Sequence, residues 1–133
     1  VEVGRFPLCR VLLMNDARYP WCILVPERSG VTEIHQLSDA DQMQLMRESS
    51  LLASRMAEAF SADKMNIAAL GNIVPQLHVH HVARYRDDAA WPGPVWGVGE
   101  AQPFSSEMQF EMRKRLETLF QDCFTAQGGP GQS

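Results

Sequence analysis

The chain predicts an α+β domain, an antiparallel sheet of about five strands carrying two amphipathic helices. Three observations lead there. Short apolar runs bounded by turn-forming residues recur along the chain, the pattern of strands. Apolar residues also recur at helical spacing in two longer stretches, 39–60 and 106–125. The order of these segments, ββαββα, places hairpin-like pairs before each helix, which favours an antiparallel sheet over alternating parallel units. The length of 133 residues, with 45% hydrophobic and 21% charged, suits one globular domain able to bury a core without staples. A single domain over 1–127 with a flexible tail over 128–133, GGPGQS after Gln127, is expected.

Each element has its own warrant. CRVLLM (9–14) and WCILV (21–25) flank the turn-rich NDARYP, so they read as two antiparallel strands. Pro26 ends the second, and ERSGVTEIHQL follows as a loop. Ser38 is placed to cap a helix whose first turn carries Asp39 and Asp41, which complements the helix dipole. Over 39–60, Leu45, Met46, Ser49, Leu52, Ala53, Met56, Ala57 and Phe60 fall on one face, and Gln44, Glu48, Arg55 and Glu58 on the other. MNIAAL (65–70) is a strand. GNIVP (71–75) is a loop, because Gly71 permits unusual dihedrals and Pro75 keeps Val74 out of the helical region. LHVHHV (77–82) is the next strand. The Gly- and Pro-rich stretch to Pro103 is irregular. Ser106 to Gln109 fits a capping box, and Met108, Met112, Leu116, Leu119, Phe120, Cys123 and Phe124 form the apolar stripe of the second helix.

Charge and cysteines narrow the function classes. A net charge of −4 and a pI near 5.5 argue against a binder of nucleic-acid backbones, although a few local donors can still hold a small phosphate. Cys9, Cys22 and Cys123 are odd in number and lack CxxC spacing, so free thiols in a reducing, cytoplasmic setting are expected. No secretory leader and no membrane span are expected from the sequence.

QLHVHHV (76–82) holds three of the chain's four histidines. Alternate strand residues share a face, so Gln76, His78 and His80 point one way, and Leu77, Val79 and His81 the other. The Leu/Val face belongs on the core. The other looks outward, to solvent or a ligand. Three readings of the histidines stay open. A metal site needs three or four ligands with a common focus, and His78 and His80 supply two. A structural reading has polar imidazoles outside and one hydrogen-bonded histidine inside. In a catalytic reading, a backbone carbonyl takes the Nδ1 proton of one ring and leaves Nε2 as a nucleophile, with the second ring about 5–7 Å away on the same face. The segment 91–96, WPGPVW, likewise reads either as a substrate-stacking rim or, preferably, as a loop packed on the sheet or on a partner subunit.

NIVPQLHVHHVAR resembles the signature of the histidine-triad (HIT) superfamily, His-φ-His-φ-His-φ-φ, where φ is apolar. Gln76 falls on the first histidine, His78 on the second and His80 on the third. Arg84 matches a basic residue often seen after the motif. Upstream, Gly71-Asn72 resembles the Gly-polar pair before the triad, and Met65-Asn66 the strand whose Asn or Gln reaches phosphates. Met14-Asn15-Asp16 with the strand ending in Val25-Pro26 resembles the nucleotide-binding hairpin, with a shorter turn. The resemblance covers roughly residues 8–86. Gln76 in place of the first His, His81 in place of an apolar residue, and Ile73 where some relatives carry Ser are the departures. Gln76 keeps the backbone carbonyl that orients the nucleophile. His81 is expected to be buried against helix 39–60 with a hydrogen-bonded partner.

The resemblance implies a nucleotide hydrolase or nucleotidyl transferase acting at an α-phosphate through a nucleotidyl-histidine. Hydrolysis of dinucleoside polyphosphates or nucleoside phosphoramidates is the expected class. It makes His78 the nucleophile, His80 its phosphate partner and Gln76 the orienting residue. Asn15 is expected on the ribose, with Asn66 and Asn72 toward the phosphates. No metal or other cofactor is expected. The implied partners are a small nucleotide, with a purine base, and a second copy of the chain that extends the sheet as a homodimer. Neither nucleic acid nor a membrane is implied. A nucleotide-binding module without turnover and a metal-binding protein are the alternatives.

Overall fold

Five antiparallel strands run in the order β1-β2-β3-β5-β4 in a computed structural model that describes residues 1–126. They are β1 (Glu2–Arg5), β2 (Cys9–Leu13), β3 (Trp21–Pro26), β4 (Lys64–Ala68) and β5 (Val79–Arg84). The helices are α1 (Asp39–Ala59) and α2 (Ser106–Phe120). The tail expected over 128–133 lies outside the described residues. No helix among the described residues is long and apolar enough to cross a membrane.

The strand β1 was absent from the sequence pattern. It is only four residues long, carries Gly4 and shifts register between Glu2 and Gly4, so no alternation marks it. Gly4 lets the Phe124 ring lie directly on the strand, where any side chain would collide with it. The histidine strand also differs from expectation. Sheet pairing begins at Val79 and runs to Arg84, not from 77 to 82. Leu77 instead gives its amide to the carbonyl of Val31, in the loop before α1, so the chain around His78 is tied to that loop rather than to a neighbouring strand.

α1 begins as expected, with Ser38 accepting the Asp41 amide through its side chain. Its buried face is rotated from the expected one. Met46 is 66% exposed, whereas Glu48 is only 3% exposed. The reason is a set of hydrogen bonds. The Glu48 carboxylate accepts the backbone amides of Leu8 and Cys9 at 2.9 Å each and the Gln44 side chain at 2.7 Å. A buried carboxylate with three donors is a satisfied one, and here it ties α1 to the start of β2. α2 is capped by Ser105 rather than Ser106, since Ser105 Oγ takes the Met108 amide. Its inner face is Leu116 and Phe120, and Met108 is exposed.

Both helices cover one side of the sheet. Cys9, Val11, Leu13, Cys22, Leu24 and Val79 pack there with Leu45, Leu52, Met56, Leu116 and Phe120. Burial holds the Cys22 thiol at about 12, so it stays protonated, and Cys9 is raised too, first by burial and then by the Glu48 carboxylate. The other side carries a second, smaller core of Tyr19, Trp21, Val82 and Val95, packed with Met14, Ile23 and Trp96. The irregular segment 85–99 supplies its lid. Arg84, fully buried, holds that lid by bonds to the Asp88 carboxylate (2.8 and 3.0 Å) and the Gly93 carbonyl (2.8 Å), and bonds to β4 through Asn66 Oδ1 (2.7 Å). The Arg84 guanidinium beside Asp88 holds that carboxyl at about 2. The outward face of β5 is thus less open than alternation alone implies.

Candidate active site

The site forms where β5 leaves the loop 69–78. Register places its floor. His80 pairs with Ile23 on one side and Ala68 on the other, and Ile23 in turn pairs with Leu12. Val25 and Arg10 pair one step further along the same face, toward the His78 end. Antiparallel partners share a face, so Leu12, Ile23 and Val25 form an apolar strip beside the histidines.

His78 sits just before β5, half-buried. Its Nδ1 lies 2.7 Å from the carbonyl oxygen of Gln76. A carbonyl can only accept, so Nδ1 carries the proton and the neutral ring has its free lone pair on Nε2. This is the geometry the catalytic reading requires, and it uses only the backbone of Gln76. The Gln76 side chain turns away and donates to the Arg28 carbonyl at 3.3 Å.

His80 lies next to it, with ring centroids 5.0 Å apart and planes at 73°. It is 6% exposed. Trp21 Nε1 donates to its Nδ1 at 3.0 Å, and the rings of Trp21 and Trp96 stand edge-on to it at 5.7 and 5.2 Å. Burial, and then the neighbouring His78, push its pKa down to about 4, so it is neutral at pH 7.

His81 faces the opposite way, into the helix-covered core, as expected. Its Nδ1 donates to the Val79 carbonyl at 3.1 Å, which leaves Nε2 to accept from Ser49 Oγ of α1 at 2.7 Å. Burial pushes its pKa down to about 4, opposed by the bond to Val79 and aided by His80. Both nitrogens are used, so His81 is a satisfied core histidine.

The structure brings Gln76, His78 and His80 together but spreads the three asparagines around them. Asn66 is on the His80 face of β4, paired with Val82, and its Oδ1 is taken by Arg84. Asn15 lies past the end of β2, three residues on from Leu12 and away from the His78 end, with Oδ1 accepting the Phe104 amide at 2.9 Å. Asn72 is exposed in the loop after Gly71, whose φ of +72° is the left-handed conformation glycine permits. Trp91 lies over the Arg84 guanidinium at 5.6 Å and so packs on the sheet side of the lid, whereas Trp96 touches His80 itself. Sequence reasoning missed Trp21. It reads as one more apolar strand residue, and only the register of β3 against β5 places it beside His80. No cluster of three or more potential metal ligands occurs among the described residues.

The family model described as HIT domain matches residues 1–87, about two thirds of the chain. The chain belongs to the HIT family. Solved structures agree with the assignment. A histidine triad protein from Marinobacter aquaeolei VT8 is 50% identical, with a TM-score of 0.89 over 92% of this chain and 90% of that one. One from Sinorhizobium meliloti 1021 is 46% identical, with a TM-score of 0.85 over 89% of this chain and 87% of that one. One from Bradyrhizobium japonicum is 43% identical, with a TM-score of 0.83 over 94% and 90%. No curated protein matches the chain. HIT membership supports a nucleotide-binding or nucleotide-processing role.

Proposed function

We propose that this HIT protein is a nucleotide hydrolase or nucleotidyl transferase that attacks an α-phosphorus through His78. The carrying observation is the 2.7 Å bond from His78 Nδ1 to the Gln76 carbonyl, which leaves Nε2 as the free nucleophile. In the first step the Nε2 lone pair forms the N–P bond, and the bond from phosphorus to the leaving group breaks with its electron pair. The Nδ1 proton stays on the ring, donated to the Gln76 carbonyl, whose oxygen stabilises the positive charge the ring gains. His80 and amides of the loop near Asn72 meet the non-bridging oxygens. In the second step water or another acceptor attacks phosphorus, sheds its proton, and returns the pair to Nε2. A nucleoside monophosphate leaves.

The strip of Leu12, Ile23 and Val25 suits an apolar base, and a purine is proposed for it. Asn15 would reach the ribose hydroxyls through its amide nitrogen, with Asn66 and Asn72 on the phosphate side. Ile73 is 94% exposed and apolar, so the leaving group must take its proton from elsewhere than this position or be a stable anion. Dinucleoside polyphosphates, whose leaving group is a nucleotide, and nucleoside phosphoramidates fit that requirement. A homodimer is proposed on the edge strand β4, where Ile67 is exposed beside the exposed Leu70, Ile73 and Val74. The free thiols suit a cytoplasmic setting.

The deciding experiment incubates the protein with diadenosine polyphosphate and with adenosine phosphoramidate, quenches, and seeks a nucleotidyl adduct on His78 by mass spectrometry. An adduct with released monophosphate is expected, and neither in His78→Ala. Nucleotide binding without adduct or turnover would instead make the protein a binding module.

A further inference from the structure

The two imidazoles of the site hold their protons on opposite nitrogens, and the reason lies outside the histidine motif. Indole is a donor only, so the 3.0 Å contact from Trp21 Nε1 makes His80 Nδ1 an acceptor. A neutral His80 must then carry its proton on Nε2. His78 is the reverse, with Nδ1 protonated against the Gln76 carbonyl. His80 Nε2 forms no hydrogen bond among the described residues, and it is not one of their sealed, unsatisfied polar atoms.

We propose that Trp21 is a positioning residue for His80, its indole N–H holding the ring as the neutral Nε2–H form that offers a donor to the non-bridging oxygens of the substrate's phosphate. This rests on the nucleotidyl-transfer reading for what His80 does, but not for which nitrogen is protonated. The other neutral form would set an Nδ1–H against the indole N–H and turn a bare lone pair toward the phosphate. The imidazolium would meet the same clash at Nδ1. The ring is also gripped by Trp96 at 5.2 Å. Among the described residues, His78 is the one titratable side chain in ring contact with it, and its strand neighbours Ile23 and Ala68 are uncharged. A donor set in advance at a water-poor position needs no reorganisation as charge builds on the phosphoryl oxygens.

The test is long-range proton–nitrogen NMR of ¹⁵N-histidine-labelled protein at pH 7, with His80 assigned through His80→Gln. Wild type is expected to show His80 as Nε2–H and His78 as Nδ1–H. Trp21→Phe keeps an aromatic ring and removes the donor. It is expected to give a mixture of His80 forms and about a tenfold lower kcat on adenosine phosphoramidate, with KM changed less than about twofold. Trp96→Phe, which alters packing on the same ring without touching that bond, is expected to leave His80 as Nε2–H. An Nδ1–H His80 in wild type overturns the proposal even if Trp21→Phe does not fold. A pure Nε2–H form in Trp21→Phe, or the same change in both tryptophan variants, overturns it as well. Failure of the nucleotidyl-transfer reading would show instead as no adduct and no turnover in wild type, or as full turnover by His78→Ala, with the NMR result untouched.

Discussion

His80 and His81 are neighbours in sequence and differ in almost everything that decides function. Both are buried, and burial pushes both to about 4. His81 spends both nitrogens, one on the Val79 carbonyl and one on Ser49. Among the described residues His80 spends only Nδ1, on Trp21. Burial and a depressed pKa therefore do not single out the working histidine in this molecule. On the proposed mechanism, the count of committed nitrogens does. A saturated imidazole contributes to folding, and one with a free nitrogen beside a nucleophile can contribute to chemistry. The two faces of β5 differ in the same sense: one is closed by helices, the other by a lid that stops short of the His78 end.

The contrast can be broken most sharply at His78. His78→Ala is expected to lower hydrolysis at least about 10³-fold while leaving thermal stability near wild type, since this half-buried ring holds one local bond. Kinetics and a melting curve on the same sample check it. His81→Ala should do the opposite. It opens a cavity and strands the Ser49 hydroxyl, for an expected loss of roughly 2–4 kcal/mol in urea unfolding, with kcat of the folded fraction close to wild type. A large kcat loss in His81→Ala with intact stability would dissolve the comparison.

The pH dependence of stability sharpens it further. His80 and His81 have folded pKa values of about 4 against an ordinary 6.5. Between those values the unfolded chain binds more protons, so stability falls as pH drops through that window. The stabilisation is fully present above 6.5 and is lost on the way down to about 4. Urea midpoints across pH 4–7 should show this slope, and it should be shallower in His81→Ala. The smallest effect is expected for Gln76→His. The orienting atom is the backbone carbonyl, so kcat should change by less than about fivefold. A gain of orders of magnitude would mean that the side chain, not the carbonyl, sets the rate.

The sequence was most legible where local chemistry sets local structure. Ser38 with Asp39 and Asp41 marks the start of α1, and alternation separates His81 from His78 and His80. It was least legible where a distant partner decides. Glu48 reads as a solvent-facing helix residue until the amides of Leu8 and Cys9 are brought to it. Asn66 reads as a free ligand for phosphate until Arg84 takes its oxygen. The strand β1 carries no periodic signal because its register shifts at Gly4.

By itself, then, the sequence determined the order of the elements after β1, the sharing of the histidines between two faces, and the backbone carbonyl that frees His78 Nε2, because each depends on residues a few positions apart. Only the tertiary structure decided which nitrogen of His80 is free, since that rests on an indole 59 positions away, delivered by the pairing of β3 with β5. It also decided that the lid over 85–99 closes one end of the site, because the buried Arg84 draws Asp88, Gly93 and Asn66 to a single guanidinium. Side-chain spacing sets which way a residue points, and strand register sets what it meets there.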